Sequence, residues 1–223
     1  RPTSPILENT LIPWRAPHNS SSREGLLGGG QGLLPGELSL AHKGILFLDE
    51  GLEFSRHFWQ SLREPLEEGV IRHARAGRSL EYPAQISLLI SANPCACGSF
   101  GSENQTCLCS SGEIQQYWKK IGGPMRDRLA IRYWMNGGGE RAPLQNPLAF
   151  VEGIEKAVKR RLRIPNTTLQ EYLRKNATYR EIAQIEDLAR TLAAIRGGPA
   201  VSPEDQATAH SLRTGILGRI PWF

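Results

Sequence analysis

The chain has 223 residues, which is long enough for one large domain or two modest domains with a substantial core. Its 27 Lys and Arg residues against 22 Asp and Glu residues give a net charge of +5, which is compatible with a nucleic-acid partner but does not require one. The sequence has no apolar run of about eighteen residues and no apolar signal-peptide core at Arg1–Pro5, so nothing in it indicates membrane insertion or export. We therefore expect a cytoplasmic protein without a membrane partner.

The first part of the chain, residues 1–43, is rich in Pro, Gly and Ser and has no sustained hydrophobic periodicity, which predicts irregular structure. Within it, the glycine cluster Gly28–Gly32 is not followed by a lysine or by a helix start, so we interpret it as a flexible loop. A phosphate-binding loop ends in Gly-Lys-Ser or Gly-Lys-Thr, and neither sequence occurs in the chain.

The segment Gly44–Leu48 is apolar and ends abruptly in two adjacent carboxylates, Asp49 and Glu50. A short apolar run of this kind is typical of a buried parallel strand whose carboxyl end opens into a site. An Asp-Glu pair at such an edge suits ATP hydrolysis, with Asp49 holding Mg²⁺ and Glu50 polarising the attacking water. A strand that ends in a solvated turn is the alternative.

After Glu50, apolar residues recur at helical spacing, which predicts an amphipathic helix that Pro65 kinks or restarts. Val70–Tyr82 is predicted to form a hairpin that turns at Ala76 and Gly77. Near its tip, Arg72, Arg75 and Arg78 are the best candidates for contacting nucleic acid, although a solvated charged hairpin would have the same pattern.

The apolar run Ile86–Ile90 predicts a second buried strand, and Asn93 follows it. All the cysteines of the chain come shortly afterwards: Cys95, Cys97, Cys107 and Cys109. Four thiolates this close in sequence can form a tetrahedral structural zinc site, and a cytosolic setting argues against disulfides. Because Cys-x-Cys is tighter than the usual zinc-knuckle spacing, reduced cysteines without a metal remain the alternative.

The character of the chain changes near Gly137–Gly139, where we place a boundary between a domain of residues 1–140 and a helical domain of residues 141–223. Leu148–Leu162 and Tyr179–Arg196 are predicted to be amphipathic helices, and the second stops at Gly197. Ser202 and Pro203 then have the pattern of a helix cap followed by a first turn.

Several of these segments, in this order, resemble the magnesium-chelatase-like AAA+ ATPases of the ComM/YifB type. The resemblance is carried by Leu34–Glu37, Gly44–Glu50, Leu62–Gly69, Ala92–Gly98 and Gly123–Leu129. It is strong over roughly residues 10–130 and looser beyond. The resemblance implies an α/β AAA+ P-loop ATPase core, here partial because the Walker A region is lacking, followed by a small all-α lid.

The resemblance also implies a role for several residues. Asp49 and Glu50 correspond to Walker B, Asn93 to sensor 1, Arg128 to an arginine finger that reaches a neighbouring subunit, and Arg180 to sensor 2. Local alternatives stay open: Asn93 could satisfy backbone groups at a strand end, Arg128 could form a surface ion pair, and the position of Arg180 could be wrong by one helical turn.

The family implies an ATP- and Mg²⁺-dependent motor that assembles into a homo-oligomeric ring, most simply a hexamer, and drives branch migration of DNA during recombination or natural transformation. One rival is a magnesium-chelatase motor subunit acting on a metal-inserting partner, against which the four cysteines argue. The other rival is a catalytically inert scaffold, suggested by the absence of a phosphate-binding loop. The simplest explanation of that absence is a fragment, and we expect the chain alone to bind ATP weakly.

Overall fold

A computed structural model gives the structure of residues 12–75, 77–102, 104–135, 147–166, 169 and 177–214. The chain divides into two compact units, Arg1–Arg126 and Asp127–Phe223. The boundary predicted near Gly137–Gly139 lies outside the described residues and stays a prediction. Among the helices that are described, none is both long and apolar enough to cross a membrane.

The first unit mixes short strands with short helices. Its strands are β1 (Trp14–Arg15), β2 (Gly28–Gly29), β3 (Leu34–Pro35), β4 (Ile45–Leu48), β5 (Val70–Arg75), β6 (Arg78–Pro83) and β7 (Ser87–Ile90). Its helices are α1 (Arg23–Leu27), α2 (Glu37–Leu40), α3 (Arg56–Ser61), α4 (Arg63–Glu68), α5 (Ser111–Lys119) and α6 (Gly123–Arg126), and a 3₁₀ turn spans Gly51–Glu53.

Three strands form a parallel sheet in the order β1–β4–β7. The predicted strand at β4 is confirmed, and its Leu46 and Leu48 side chains are fully buried. The strand at β7 is also confirmed, but it is less buried than predicted, since it pairs only with β4 in the described sheet and Leu89 is half exposed. Gly44 allows β1 and β4 to approach, because a Cβ there would lie 2.0 Å from the Pro13 carbonyl oxygen.

The helix predicted after Glu50 is present as two pieces, α3 and α4, that meet at Leu62. Proline lacks the N–H that would bond four residues back, and its ring crowds that carbonyl. The residue four positions before Pro65 is Ser61, which is the last residue of α3. The interruption predicted from Pro65 is therefore confirmed, and it lies one turn before the proline.

The glycine segment that was predicted to be a flexible loop contains a turn at residues 30–33, but the turn is closed by two short strands that were not predicted. Gly28–Gly29 pair antiparallel with Leu34–Pro35, and the φ angle of 90° at Gly28 favours glycine. The predicted β5–β6 hairpin is confirmed and holds this segment in place. The His73 ring bonds to the Leu27 carbonyl at 3.0 Å, and the Tyr82 hydroxyl donates to the Leu33 carbonyl at 2.6 Å.

The second unit is helical in the part of the chain that the structure describes, with α7 (Pro147–Arg161), α8 (Tyr179–Arg196) and α9 (Pro203–Thr214). These helices confirm the predicted ones to within a residue at each end. A capping box between Thr178 and Glu181 begins α8, and a left-handed Gly197 ends it. Ile185 and Ala189 of α8 pack with Ala209 of α9 in a small apolar core.

A buried arginine on α9 fixes the start of this unit. The Arg213 side chain is only 1% exposed, and its Nη2 lies 3.4 Å from Asp127 Oδ1 and 3.3 Å from Glu181 Oε1. Its Nε donates to Gln184 Oε1 at 2.9 Å, and Gln184 Nε2 lies 3.3 Å from the carbonyl oxygens of both Asp127 and Arg128. The backbone of Asp127 and Arg128 is therefore held by side chains of α8 and α9.

Replacing Arg213 with Met should lower the free energy of unfolding by about 3 kcal/mol, the lower end of the range for a broken buried ion pair, because both carboxylates also reach solvent. Urea denaturation followed by circular dichroism measures the loss. Arg163→Met, at an exposed arginine of the same unit, is the matched control and should change stability little. Equal stability of the two variants would contradict a stabilising role for Arg213.

The start of α9 predicts a pH dependence of stability. Asp205 accepts hydrogen bonds from Arg196 at 2.7 Å and from the Ser202 backbone at 2.8 Å, and these lower the pKa of Asp205 to about 2 although burial opposes them. Because the pKa of Asp205 is lower in the folded protein than its ordinary value of 3.8, the ionised carboxylate stabilises the fold above pH 3.8, and this stabilisation is lost as the pH falls toward 2.

Asp205→Asn should therefore lower the free energy of unfolding by about 1 kcal/mol at pH 6. The difference from the native chain should vanish near pH 2, which urea denaturation across this range would measure; a constant difference would contradict it.

Candidate nucleotide and metal sites

Asp49 and Glu50 lie at the carboxyl edge of the parallel sheet, and both side chains are exposed. The register pairs Leu48 with Ile90, so Asp49 and Ser91 leave their strands side by side. The Ser91 hydroxyl donates to Asp49 Oδ1, and the Glu50 backbone N–H is 3.1 Å from the same oxygen and 3.2 Å from Ser91 Oγ. Sequence reasoning did not single out Ser91, although its place at the end of the neighbouring parallel strand was a signal for it.

The backbone turns sharply directly after β4. Glu50 has φ 50° and ψ 46°, the left-handed region that non-glycine residues rarely adopt, and residues held there are often at functional sites. Gly51 then donates its N–H to the Ser91 carbonyl at 2.7 Å. A Cβ at Gly51 would lie 2.4 Å from the Ile90 side chain, so the close approach requires glycine. This packing holds the backbone on both sides of the exposed Glu50 side chain.

The carboxylates of this edge fit a magnesium ion bound to a nucleotide. In the described part of the chain, Asp49 Oδ1 is occupied by Ser91, whereas no hydrogen bond is found to Asp49 Oδ2 or to the Glu50 carboxylate. Exposed, anionic oxygen atoms are the ligands that Mg²⁺ uses, together with water and substrate phosphates. Asp49 is thus held by its neighbour and still has a free oxygen.

Asn93 is exposed and lies two residues past Ser91, beyond the same strand end. The carbonyl of the next residue, Pro94, accepts a hydrogen bond from Trp118 Nε1 at 2.9 Å. The chain on the far side of Asn93 is therefore anchored to helix α5. The structure describes no hydrogen bond that would assign a role to the Asn93 amide, so that role stays a prediction.

The four cysteines come together. Cys95 Sγ is 3.3 Å from Cys97 Sγ and 3.7 Å from Cys107 Sγ, Cys97 and Cys107 are 3.6 Å apart, and with Cys109 all four sulfur atoms lie within 4.8 Å of one another. The cysteines are free, and these distances are well beyond the S–S bond length of about 2.05 Å. We call these four residues the cysteine cluster.

The geometry of the cysteine cluster fits a tetrahedral metal ion. Four sulfur atoms at about 2.3 Å from one ion would be about 3.8 Å apart, close to the measured separations. The Ser99 backbone N–H and the thiols of Cys95 and Cys109 lower the pKa of Cys97 to about 6, whereas desolvation and hydrogen bonds from the other thiols raise the pKa values of Cys107 and Cys109, so Cys97 is the thiol that loses its proton first. Thiolates are the form that binds metals. The cluster could therefore hold a metal ion.

The hairpin arginines lie in different settings. Arg72 is on β5 and contacts three carboxylates: Glu68, Glu81 at 3.2 Å and Glu64 at 3.5 Å. Its positive charge is thus balanced locally. Arg75 and Arg78 face each other in the register beside the turn, and their side chains lie outside the described residues.

In the second unit, the structure brings the predicted arginine finger and sensor 2 close in space. Arg180 Nη1 lies 3.3 Å from Asp127 Oδ2, directly beside Arg128 in sequence. Asp127 is thus shared by Arg180 and Arg213. Sequence reasoning missed Arg213 because a lone arginine late in an amphipathic helix looks like a surface residue.

Comparison with known proteins places the chain in a family. Residues 6–141 match the family described as magnesium chelatase, subunit ChlI. An uncharacterized protein of Mycobacterium tuberculosis is 44% identical over 128 residues, which is 57% of this chain and 25% of that protein. Competence protein ComM of Haemophilus influenzae is 44% identical and the uncharacterized protein YifB of Escherichia coli 41% identical, each over 120 residues, 53% of this chain and 23% of theirs.

The matched segment spans about a quarter of the length of these relatives. The family match over residues 6–141 includes the strand end with Asp49 and Glu50 and also the cysteine cluster. The parallel sheet with flanking helices agrees with the α/β core expected for an AAA+ protein. The chain belongs to the magnesium chelatase subunit ChlI family and is of the ComM/YifB type.

Proposed function

We propose that this chain supplies the Walker B and sensor 1 edge of an ATP-hydrolysing site in an AAA+ motor that acts on DNA. The observation that carries the proposal is the pairing of Asp49 with Ser91 at the carboxyl edge of the parallel sheet, beside the exposed Glu50. Ligands of open α/β sheets bind at this edge.

In this proposal, bound MgATP supplies the phosphoanhydride to be cleaved and a cation that neutralises phosphate charge. Asp49 holds that cation with the oxygen that Ser91 leaves free. The Glu50 carboxylate accepts a proton from the attacking water, and the Asn93 amide orients the same water. Each of these three groups is exposed at one edge of the sheet, where a nucleotide can reach it.

We assign Arg128 and Arg180 the roles of arginine finger and sensor 2. A finger acts across a subunit interface, so the proposal includes a homo-oligomeric ring, a hexamer by family resemblance. Side chains of α8 and α9 hold the backbone of Asp127 and Arg128 through hydrogen bonds to its carbonyl oxygens. This supports the assignment of Arg128, because an arginine finger must be held rigidly to place its charge at the transition state.

Glu50→Gln in the full-length protein that carries this segment should lower kcat for ATP about a hundredfold or more and leave nucleotide affinity within about twofold, because only proton acceptance is lost. Steady-state ATPase assays and nucleotide titration measure the two quantities. Glu24→Gln, at an exposed glutamate on α1, is the matched control. Turnover equal to that of the control would remove Glu50 from the mechanism.

DNA is the proposed partner, with branch migration during recombination or natural transformation as the activity. Two observations support it: one relative is named a competence protein, and the β5–β6 hairpin presents basic residues beside its turn. The positive net charge is compatible with it. Because carboxylates balance Arg72, we assign the larger share of phosphate contact to Arg75 and Arg78.

Replacing Arg75 and Arg78 with Ala should weaken DNA binding and reduce the slope of log affinity against log salt by about 1.4 to 1.8, since each lost phosphate contact removes about 0.7 to 0.9. Arg72→Ala should change the slope less. Arg56→Ala, at an exposed arginine on α3, is the control. Fluorescence anisotropy at several salt concentrations measures these slopes, and a double variant that behaves like Arg56→Ala would contradict the proposal.

We further propose that the metal of the cysteine cluster is a structural zinc ion. Four thiolates leave no open coordination position for catalysis, and soft sulfur ligands favour zinc. Protein purified without chelator should contain one zinc per chain by elemental analysis, and Cys107→Ser should lower that content below half. Metal-free protein with four reactive thiols would refute the assignment.

A further inference from the structure

The cysteine cluster is continuous in sequence with the proposed ATP site on one side and with helix α5 on the other. Cys95 comes two residues after Asn93, and Cys109 directly precedes Ser110, the residue that caps α5. A complete capping box between Ser110 and Glu113 fixes the start of the helix. An ion bound by the four sulfur atoms would therefore fix both the chain leaving Asn93 and the beginning of α5.

The last turn of α5 contacts the segment that follows Glu50. Tyr117 is buried, and burial together with the nearby Glu53 carboxylate raises its pKa, so its hydroxyl keeps its proton beside that carboxylate. Lys120 Nζ lies 3.7 Å from Glu53 Oε2 and 5.1 Å from the centre of the Tyr117 ring. The Glu53 backbone N–H in turn donates to the Glu50 carbonyl at 2.7 Å. This chain of contacts joins α5 to the backbone of Glu50.

The neighbouring residue of α5 contacts the other catalytic segment. Trp118 is buried, and its Nε1 donates to the carbonyl of Pro94, the residue after Asn93. Two adjacent side chains of one helix therefore contact the segments carrying Glu50 and Asn93. Simple packing of an apolar helix needs neither the Tyr117 hydroxyl nor the Trp118 N–H.

We propose that helix α5 is a positioning element which couples metal occupancy of the cysteine cluster to the placement of Glu50 and Asn93. Tyr117, Lys120 and Trp118 are its positioning residues, and a zinc ion in the cluster holds the helix in the position where both contacts are made. The catalytic meaning of this coupling depends on the proposed ATPase function, but the coupling itself is a property of this chain and can be measured without ATP.

Hydrogen exchange of the 223-residue chain tests the coupling directly. Protein loaded with one zinc per chain is compared with protein stripped by a chelator, and exchange is followed by mass spectrometry. We expect stripping to speed exchange about fivefold or more at residues 50–54 and 91–93 as well as within the cluster. The β5–β6 hairpin and helix α8 serve as internal controls and should be unchanged.

Two variants separate positioning from a general loss of structure. Tyr117→Phe removes only a hydroxyl group. Trp118→Phe removes the indole N–H together with one ring of the indole. Both variants should still bind one zinc ion per chain. Loaded Tyr117→Phe should exchange like stripped native protein at residues 50–54, and loaded Trp118→Phe should do so at residues 91–93. Tyr133→Phe, at a tyrosine that is 73% exposed, is the matched control and should exchange as the native chain does.

Three results would overturn the proposal: no zinc in the native chain, faster exchange confined to the cluster after stripping, or a uniform increase that includes the hairpin. In full-length protein, Tyr117→Phe should lower kcat about tenfold to a hundredfold with little change in KM, as expected for a displaced catalytic group. If the native protein has no ATPase activity, the proposed function fails while the exchange result still decides the coupling.

Discussion

The candidate site depends on the parallel register between β4 and β7. Pairing of Leu48 with Ile90 makes Asp49 and Ser91 neighbours where the strands end. Side chains alternate between the faces of a sheet, so a slip of one residue would turn Asp49 to the opposite face and away from the serine hydroxyl. The register is secured just beyond the strands, where the Gly51 N–H bonds to the Ser91 carbonyl and leaves no room for a side chain.

The candidate functional groups lie on short irregular segments that are held in place by contacts with neighbouring strands and helices. Ser91 and α5 hold the Glu50 segment, Trp118 holds the chain after Asn93, and helices α8 and α9 hold the backbone beside Arg128. Such an arrangement lets exposed polar residues keep a defined position without being buried. It also explains how a chain that spans about a quarter of its relatives' length can carry well-ordered candidate sites.

The sequence was informative wherever a local pattern alone decides the structure. The apolar run of β4, the proline that interrupts the helix after Glu50 and the glycine that ends α8 each specify an element through a single physical effect, and the structure agrees.

Side-chain contacts between segments that are distant in sequence could not be predicted. These include Ser91 with Asp49, Arg213 with Asp127, and the carboxylates around Arg72. Helix α5 was missed although Ser110 and Glu113 form a readable capping box. The short strands around the glycine turn were not predicted either, because this segment is held by contacts with the β5–β6 hairpin.

The central claim is that Asp49, oriented by Ser91, is the ligand for the cation of a bound nucleotide. The most direct test is to measure the affinity of the full-length protein for Mn²⁺, in the presence of a non-hydrolysable ATP analogue, by electron paramagnetic resonance. Loss of a hydrogen bond that orients a metal ligand typically costs about tenfold to a hundredfold in metal affinity, so Ser91→Ala should weaken Mn²⁺ binding by that factor and Asp49→Asn should abolish it. Ser87→Ala, at the other end of β7, should bind as the native protein does. Undiminished Mn²⁺ affinity in both the Ser91 and the Asp49 variants would contradict the account.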